Sequence, residues 1–593
     1  MSFESLSTLD YSIIGGFFLL SIFIGVYVSK SSSQSADDFF LSGRKMPWWL
    51  LGVSMVATTF AADTPGLVTQ LVRDDGVSGN WAWWYMLLTG TLTVFFYARL
   101  WRKSGVTTDL EFYELRYSGK SAAFLRGFRA VYLGFFFNVI TMAGVCLAGA
   151  KIAAIMFGMD QLTFIAIAGG VTVVYSMLGG LKGVLITDFF QFIIAMIGSV
   201  WATYYIVNLP EIGGLDNLVA SISPETLSIF PDVTDGDKML VLIIIPFAVQ
   251  WWSTWYPGAE PGGGGYIAQR MLAAKDEKNA TFATLFFNFA HYALRPWPWI
   301  LIALASLIVF PDLESIKLAF SGVDPELIKG DAAYSAMLTM LPSGLLGIVL
   351  ASLIAAFMST ISTQLNWGSS YMVNDVYKRF IKKEASEKEL VGFGRISTVV
   401  LMICAGAFSY VLSSAADFLQ IMLQIGAGTG LLFILRWFWN RINPYSEITA
   451  MGVSFLMAAI FLIYNKTHEG NELSTTFQLL TGIGVTTFCW VLVSFLTNPT
   501  KSEVIDAFEA KVFAVDSDEK LLDQSGTTSA KISKFHNFEY KIIGFLVATL
   551  GIYSALFATG YFLYGETALA WLFTSITIAG SAVLVVFNKK IFS

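Results

Sequence analysis

Charged residues are scarce in this chain of 593 residues. Only 13% of the sequence is Asp, Glu, Lys or Arg, whereas 55% is hydrophobic. So little charge excludes an ordinary soluble globular protein, in which charged residues make up about 25% of the sequence. The basic residues lie in separate loops rather than in one patch, so the sequence predicts no nucleic-acid partner.

Cysteine and histidine are rare as well, with three of each. The cysteines, Cys146, Cys404 and Cys489, all stand in apolar runs, which excludes a disulfide framework and shows no metal-binding spacing. The apolar runs also contain no nucleophile with a neighbouring base and no cluster of metal ligands. These absences argue against an enzyme.

Long apolar runs, in contrast, recur along almost the whole chain. We count about fifteen, each near the ~20 residues that a bilayer requires. The sequence therefore predicts an all-α multi-pass membrane protein with about 15 transmembrane helices in a lipid bilayer. The first run, Leu9–Val28, is too long for a cleavable signal and is followed by more membrane.

The loops between these runs differ in charge. Every second loop is basic, from SKSSSQSADDFFLSGRK to YKRFIKKEASEK, whereas the loop over residues 210–238 is acidic. The positive-inside rule then predicts an outside amino terminus and a cytoplasmic carboxyl terminus in the cell's inner membrane. Residues 497–541 form the one long polar connection near the end. We interpret it as a cytoplasmic linker between accessory helices over 441–496 and C-terminal helices over 542–593.

Two predicted spans carry helix breakers at comparable places. The second contains VATTFAADTPG, with Asp63, Pro65 and Gly66 at mid-membrane, and the seventh runs into WYPGAEPGGGG. The seventh span starts from the opposite side of the membrane. Interrupted helices at matching positions of two oppositely oriented halves indicate an inverted repeat with a substrate site between the breaks. The alternative is that proline and glycine only kink ordinary membrane helices.

Four hydroxyls crowd the centre of another apolar run, LASLIAAFMSTISTQLN. At ~100° per residue, Ala356, Ser359, Thr360 and Thr363 share one helix face, and Ser362 lies at its edge. Uncharged oxygen ligands suit Na⁺, because Ca²⁺ and Mg²⁺ sites recruit more carboxylate. The alternative is that these hydroxyls bond their own helix and let neighbouring helices pack closely.

A second motif supplies one carboxylate. YSMLGGLKGVLITDFFQF places Asp188 one or two turns into the sixth predicted span. An ionisable group inside a membrane helix is a functional candidate. The alternative is an interfacial aspartate beside a cytoplasmic loop at Gly179 and Gly180.

Three motifs resemble those of the sodium:solute symporter family. They are DDFFLSGRKMPWW (37–49), YSMLGGLKGVLITDFFQ (175–191) and YIAQRMLAAKD (266–276). The resemblance covers about residues 9–465 and implies a leucine-transporter-like core of two inverted five-helix repeats. These would occupy residues 48–209 and 239–440, behind a leading helix and cytoplasmic loop over residues 1–47.

The resemblance also implies two Na⁺ sites, and therefore two Na⁺ per transport cycle. It places the main site on backbone carbonyls of the first broken span and on the hydroxyl helix, at Ala57, Phe60, Ala356, Ser359 and Thr360. It places the second site on Asp188, Ser359, Ser362 and Thr363.

The substrate is less clearly encoded. Thr59, Asp63 and Thr64 stand where the family's substrate-contacting residues stand, and Gln424 lies at a similar position further on. Near the second break are Trp252, Trp255, Tyr256 and Glu260, and the eighth span carries Arg295. Aromatic faces flanked by carboxylates suit a polyhydroxylated ring.

Arg295 leaves two interpretations open: it binds a substrate carboxylate, or it pairs structurally with a nearby acid. We therefore expect a secondary-active Na⁺ symporter, functional as a monomer, that imports a sugar or sugar acid. An amino acid or another organic acid is the alternative substrate, and a transporter-like membrane sensor is the alternative class.

Overall fold

The computed structural model describes residues 6–255, 260–320, 328–411, 424–468, 470–514, 521–522, 528–529 and 533–592. Within these residues the regular secondary structure is helical apart from a two-stranded antiparallel ribbon, Leu521–Leu522 with Thr528–Ser529, and an isolated parallel bridge between Met46 and Ala274. In chain order the principal helices are α1 (Thr8–Ser32), α2 (Trp48–Thr58), α3 (Thr64–Asp75), α4 (residues 77–104), α5 (Gly119–Phe157), α6 (Gln161–Val207), α7 (residues 236–253), α8 (Gly265–Ala273), α9 (Glu277–Val309), α10 (Leu345–Ile381), α11 (Glu387–Phe408), α12 (Pro444–Thr467), α13 (Thr475–Leu496), α14 (Phe538–Leu563) and α15 (Thr567–Val586).

Shorter helical segments connect them. They are Ala36–Leu41, Ser42–Arg44, Asp109–Glu111, Phe112–Arg116, Leu215–Ser221, Pro224–Leu227, Leu313–Ala319, Ala332–Leu338, Gly430–Leu435, Ser502–Val512 and Asn588–Ile591. Ten of the described helices, α1, α5, α6 and α9 to α15, are long and apolar enough to cross a membrane. The count of about fifteen spans and the inverted repeat stay predictions.

The helices break at both places where the sequence carries breakers. α2 ends at Thr58 and α3 begins at Thr64, with Pro65 in the first turn of α3. Proline suits that position because the first turn does not need its missing N–H. α7 ends at residue 253 and α8 begins at Gly265, and φ is +83° at both Gly262 and Gly263. Only glycine adopts such φ values readily, which explains the glycine run.

α10 is the buried centre of the fold, and α1 and α6 pack along it. The leading helix α1 is attached to it at one end. Asp10 Oδ1 accepts hydrogen bonds from the backbone N–H groups of Gly344 and Gly347, both at 2.8 Å. These two N–H groups lie at the start of α10, where the helix leaves its first donors without internal partners.

The sequence predicts a loop between two spans at Gly179 and Gly180, but the structure reduces that loop to a kink within α6. Gly180 has φ +52° and ψ −155°, and helix continues on both sides of it. A β-carbon at Gly180 would lie 2.6 Å from the carbonyl oxygen of Phe39. The kink therefore depends on glycine and brings the first two sequence motifs into contact.

The C-terminal helices are attached through α14. Tyr553 Oη donates to the carbonyl of Trp84 in α4 at 2.8 Å, and Trp297 Nε1 in α9 donates to Leu556 O at 2.8 Å. α15 packs on α14 and is otherwise almost entirely exposed. An outer helix with so many exposed apolar side chains fits a lipid-facing position.

We predict that Gly180→Ala destabilises the protein by about 1–3 kcal/mol, because alanine cannot adopt this backbone conformation without strain. Thermal unfolding of the purified protein measures the effect. Gly144→Ala is the matched control, since a β-carbon at that position in α5 meets nothing within 4 Å. Equal stability of the two variants would contradict the argument.

Candidate functional site

A cavity of about 340 Å³ lies beside both helix breaks. Six of the predicted substrate residues line it: Thr59, Asp63, Thr64, Trp255, Glu260 and Arg295. Other polar or aromatic side chains complete its wall, among them Trp83, Thr141, Trp251, Tyr266, Asn288, His291 and Gln364. A mostly apolar cavity with a few converging polar groups is typical of a small-molecule site.

Two predicted substrate residues are not part of this wall. Trp252 donates through Nε1 to Ala248 O of its own helix at 2.8 Å, and Gln424 Nε2 donates to Gln478 Oε1 at 2.7 Å. Neither is among the cavity-lining residues. Tyr256 lies outside the described residues. The rotation of α7 about its axis decides the position of Trp252, and motif spacing does not reveal that rotation.

The first break contributes an acidic group to the cavity. Asp63 stands just before α3 with its side chain exposed to the cavity, and no described side chain donates a hydrogen bond to its carboxylate. The neighbouring hydroxyl of Thr64 accepts from Ala61 N at 3.1 Å and so holds the unwound turn. The Asp63 carboxylate is therefore available to accept hydrogen bonds from a solute.

A basic pair from α9 lies against the same break. Thr59 Oγ1 and His291 Nδ1 are 2.9 Å apart, and Arg295 Nη1 donates to Thr59 O at 3.0 Å. Arg295 Nη2 also lies 3.3 Å from His291 Nε2. A π-helical turn over Ala290–Leu294 precedes Pro296, which lacks the N–H of a regular helix. Arg295 therefore binds a backbone carbonyl that the helix break leaves without a helical partner. Neither interpretation of Arg295 from the sequence included this contact.

Thr360, one of the predicted main sodium residues, contacts the first break where α10 crosses it. Thr360 Oγ1 donates to Thr58 O at 3.2 Å, so the hydroxyl face of α10 lies against the end of α2. Ala57, Phe60 and Ala356 are buried at the same crossing. Freed carbonyls beside neutral hydroxyls are the hard oxygen donors that Na⁺ takes, so these residues fit the ion.

The predicted second sodium residues are also close together. Ser359 Oγ donates to Asp188 Oδ1 at 2.7 Å, and Ser362 Oγ donates to Ser359 O at 3.0 Å. Thr363 Oγ1 is 2.9 Å from Thr58 Oγ1. Asp188, Ser362 and Thr363 are almost completely buried. A buried carboxylate surrounded by hydroxyls fits a monovalent cation.

Arg270 enters this cluster, and sequence reasoning missed its role. Its Nη2 donates to Thr363 Oγ1 at 2.7 Å and to Thr58 Oγ1 at 2.9 Å, and it lies 3.5 Å from Asp188 Oδ2. Its Nε donates to Ser54 Oγ at 2.9 Å, and Ser54 in turn donates to Asp188. The side chain is 0% exposed. The signal was present, because Arg270 lies within the motif YIAQRMLAAKD.

All three sequence motifs meet around the pair formed by Asp188 and Arg270. Gln269 Nε2 donates to Phe40 O at 3.0 Å, and Met46 pairs with Ala274 in a short parallel bridge. Phe39 contacts Gly180, and Arg270 reaches Asp188. The motifs are therefore one contiguous structural unit that joins α6, α8 and the segment before α2.

A second group of buried charges lies beside the second break, and its member Glu260 lines the cavity. Glu260 Oε1 lies 3.6 Å from Arg129 Nη2, and Arg436 Nη1 lies 3.7 Å from Glu447 Oε2. Trp101 Nε1 donates to Gly262 O at 2.8 Å. Burying such groups is costly unless they are paired, so this end of the cavity is held by charge and hydrogen bonds.

A third charge cluster is centred on Glu114, which lies in the connection between α4 and α5, outside the predicted spans. Arg379 and Arg126 both bond Glu114, the former at 2.6 Å and the latter at 2.7 Å. The hydrogen bonds from Arg379 lower the pKa of Glu114 below its ordinary value, and those from Arg126 add to the effect. The cluster joins the start of α5 to the end of α10.

Two interrupted helices beside a mostly apolar cavity with converging polar groups are typical of a secondary transporter. A model of the sodium:solute symporter family matches residues 39–453, and the chain belongs to that family. This membership makes Na⁺ the coupling ion and the protein a multi-pass membrane transporter rather than an enzyme.

Known relatives agree with that assignment. The chain is 25% identical over 474 residues to the sodium/glucose cotransporter of Vibrio parahaemolyticus, covering 77% of this chain and 86% of the relative. It is 26% identical over 561 residues to the human (Homo sapiens) sodium/myo-inositol cotransporter, covering 84% and 75%. Its fold matches the substrate-bound, outward-open state of a Na⁺-coupled sialic acid symporter with a TM-score of 0.65 at 21% identity, covering 84% and 99%.

We predict that Arg270→Met destabilises the protein by about 3–5 kcal/mol, because it leaves the Asp188 carboxylate buried without its cation. The double variant Arg270→Met with Asp188→Asn should recover part of that loss. Thermal unfolding in potassium buffer measures both. A single variant as stable as the unmodified protein would show that the pair is unimportant for stability.

Proposed function

We propose that the protein imports a small polar solute, a sugar or sugar acid, together with two Na⁺ per cycle by alternating access. The single observation that carries this proposal is the cavity between the two breaks. Polar groups converge in it, and Thr360 on the hydroxyl face of α10 is part of its wall. In the orientation expected from loop charge, the amino terminus is outside, the carboxyl terminus is cytoplasmic, and the protein works as a monomer in the inner membrane.

The sodium sites of this proposal are those that the family resemblance implies, and the α10 contacts support them. The main ion would bind the carbonyls of Ala57, Phe60 and Ala356 and the hydroxyls of Ser359 and Thr360. The second would bind Asp188 with Ser359, Ser362 and Thr363. The related sialic acid symporter structure revealed a novel Na⁺ site in that protein. Since Thr360 contacts the carbonyl of Thr58, sodium at the main site would hold α10 against the broken span and so favour one conformation.

The cavity favours a neutral sugar or polyol over a sugar acid. Arg295 is the cation expected to bind a substrate carboxylate, but its guanidinium donates to Thr59 O and contacts His291. Asp63 presents an acceptor for hydroxyl protons, and the aromatic side chains of Trp83 and Trp255 line the cavity. Such groups suit the edges and faces of a sugar ring.

The alternatives make different demands on the same cavity. An amino acid or organic acid needs a cation for its carboxylate, and Arg295 would have to leave the carbonyl of Thr59 to supply it. A membrane sensor would bind solute without moving it. Both alternatives are decided by transport and binding measurements.

Alternating access also needs an end of the cavity that opens. Glu260 contacts Arg129 and Gly262 contacts Trp101 at the second break, and in this proposal these contacts keep that end closed. With the proposed orientation this end is cytoplasmic. Release of solute into the cell would therefore require these buried contacts to separate.

We predict sodium-gradient-driven uptake of a labelled sugar such as glucose or myo-inositol by proteoliposomes, with no uptake in a potassium gradient. Thr360→Ala should raise the sodium concentration for half-maximal uptake about tenfold, because one oxygen ligand is worth about 1.4 kcal/mol. Thr398→Ala is the control, since that hydroxyl bonds only Gly394 O of its own helix. Unchanged sodium dependence in Thr360→Ala would remove this residue from the site.

We predict that neutral sugars and polyols raise the thermal stability of the purified protein in sodium buffer more than uronates or amino acids do. A bound ligand stabilises by mass action. Asp63→Asn should weaken the sugar effect about tenfold, as expected for the loss of a charged acceptor. Asp160→Asn, which removes an exposed carboxylate at the start of α6, is the control. A larger shift with uronates would instead assign a sugar acid.

A further inference from the structure

Gln191 is a buried amide without a partner. Its side chain is 2% exposed, and neither its amide oxygen nor its amide nitrogen has a hydrogen-bond partner among the described residues. Leaving a polar group buried and unpaired destabilises the folded protein. Such a residue in the middle of a membrane protein points to a ligand that binds there.

The position of Gln191 indicates which ligand. It follows Asp188 by three residues in α6, so the two side chains share a helix face. The hydroxyl of Tyr175 lies beside Gln191 and Ser362. Tyr175 Oη also donates to Met358 O in α10 at 3.1 Å. Gln191 is therefore adjacent to the proposed second sodium site.

The two oxygens of Asp188 face different surroundings. Oδ2 accepts from Ser54 and lies 3.5 Å from Arg270, whereas Oδ1 accepts from Ser359 at 2.7 Å. Tyr175 and Ser362 contact α10 at Met358 and Ser359, and neither is a partner of Arg270. The arginine thus lies on the Oδ2 side of Asp188, and the hydroxyl of Ser359 bonds Oδ1 on the other side.

We propose that the carboxamide oxygen of Gln191 is a further ligand of the second sodium ion, on the Oδ1 side of Asp188. A neutral, hard amide oxygen suits a monovalent cation that must later leave. The Tyr175 hydroxyl is a positioning group, because it stands between Gln191 and the backbone of α10. This inference rests on the proposed two-sodium function and adds a ligand that the family resemblance did not supply.

If Gln191 had only a structural role, the expected effect of replacing it would be different. Replacing an unpaired buried amide by an apolar side chain of similar volume would stabilise the sodium-free protein and leave its response to sodium unchanged. A sodium ligand, in contrast, would lose affinity for the ion. The response to sodium therefore separates the two roles, whatever happens to basal stability.

The test is the thermal stability of the full-length protein against NaCl, with KCl added to keep the ionic strength constant and with no solute. We expect the unmodified protein to show a cooperative sodium response that Gln191→Leu weakens, with about tenfold more sodium needed for the upper part of the curve. Ser362→Ala should weaken the same part. Gln191→Glu, which keeps an oxygen ligand, should retain the response, and Gln191→Met replaces Gln191→Leu if that variant does not fold.

The outcomes distinguish this proposal from the one on which it rests. A cooperative response that Ser362→Ala weakens and Gln191→Leu leaves intact would overturn the role of Gln191 and keep the second site. A non-cooperative response in the unmodified protein, unaffected by Ser362→Ala, would overturn the two-sodium proposal and this inference with it. Loss of sodium affinity in Gln191→Leu with retention in Gln191→Glu would support the proposal.

Discussion

The contact between Asp188 and Arg270 is the constraint around which the central helices are arranged. Two opposite charges at 0% exposure cannot be left apart, because each would then be buried in a membrane without compensation. Their partners, Ser54, Thr58 and Thr363, come from α2 and α10, and the charges themselves come from α6 and α8. One buried pair thus holds four helices in register at the level of the first break.

That register has a consequence for the ions. The hydroxyl face of α10 is divided between the arginine and the proposed cation sites, so each hydroxyl has an identifiable neighbour. Thr363 bonds Arg270, Ser359 bonds Asp188, and Thr360 bonds the freed carbonyl of Thr58. A sodium ion that binds beside Asp188 therefore acts on the same helices that hold the first break. This shared contact supplies a physical route by which ion binding and cavity shape can influence each other.

The cavity exists because the backbone is unwound at both breaks. Unwound backbone is possible there because protein surrounds it. The carbonyl of Thr59, freed at the first break, accepts from Arg295, and Gly262 at the second break accepts from Trp101. In contact with lipid, such carbonyls would have no hydrogen-bond partner, at a high cost in free energy. Hydrogen-bond donors from α9 and α4 therefore satisfy the carbonyls that the breaks expose. The space left by the breaks is part of the cavity that Asp63, Trp83 and Trp255 line.

The sequence alone determined the features that depend on neighbouring residues along the chain. Apolar length indicated the spans, breakers at Pro65 and in the glycine run indicated the interruptions, and helical spacing gathered Ser359, Thr360 and Thr363 on one face. Three motifs were sufficient to indicate the family. Only the tertiary structure decided which side chains meet. It turned Trp252 and Gln424 away from the cavity, committed Arg295 to a carbonyl, placed Arg270 on Asp188 and left Gln191 without a partner. The physical reason is that each helix's rotation about its axis is set by contacts with residues distant in the chain, and local spacing carries no information about those contacts.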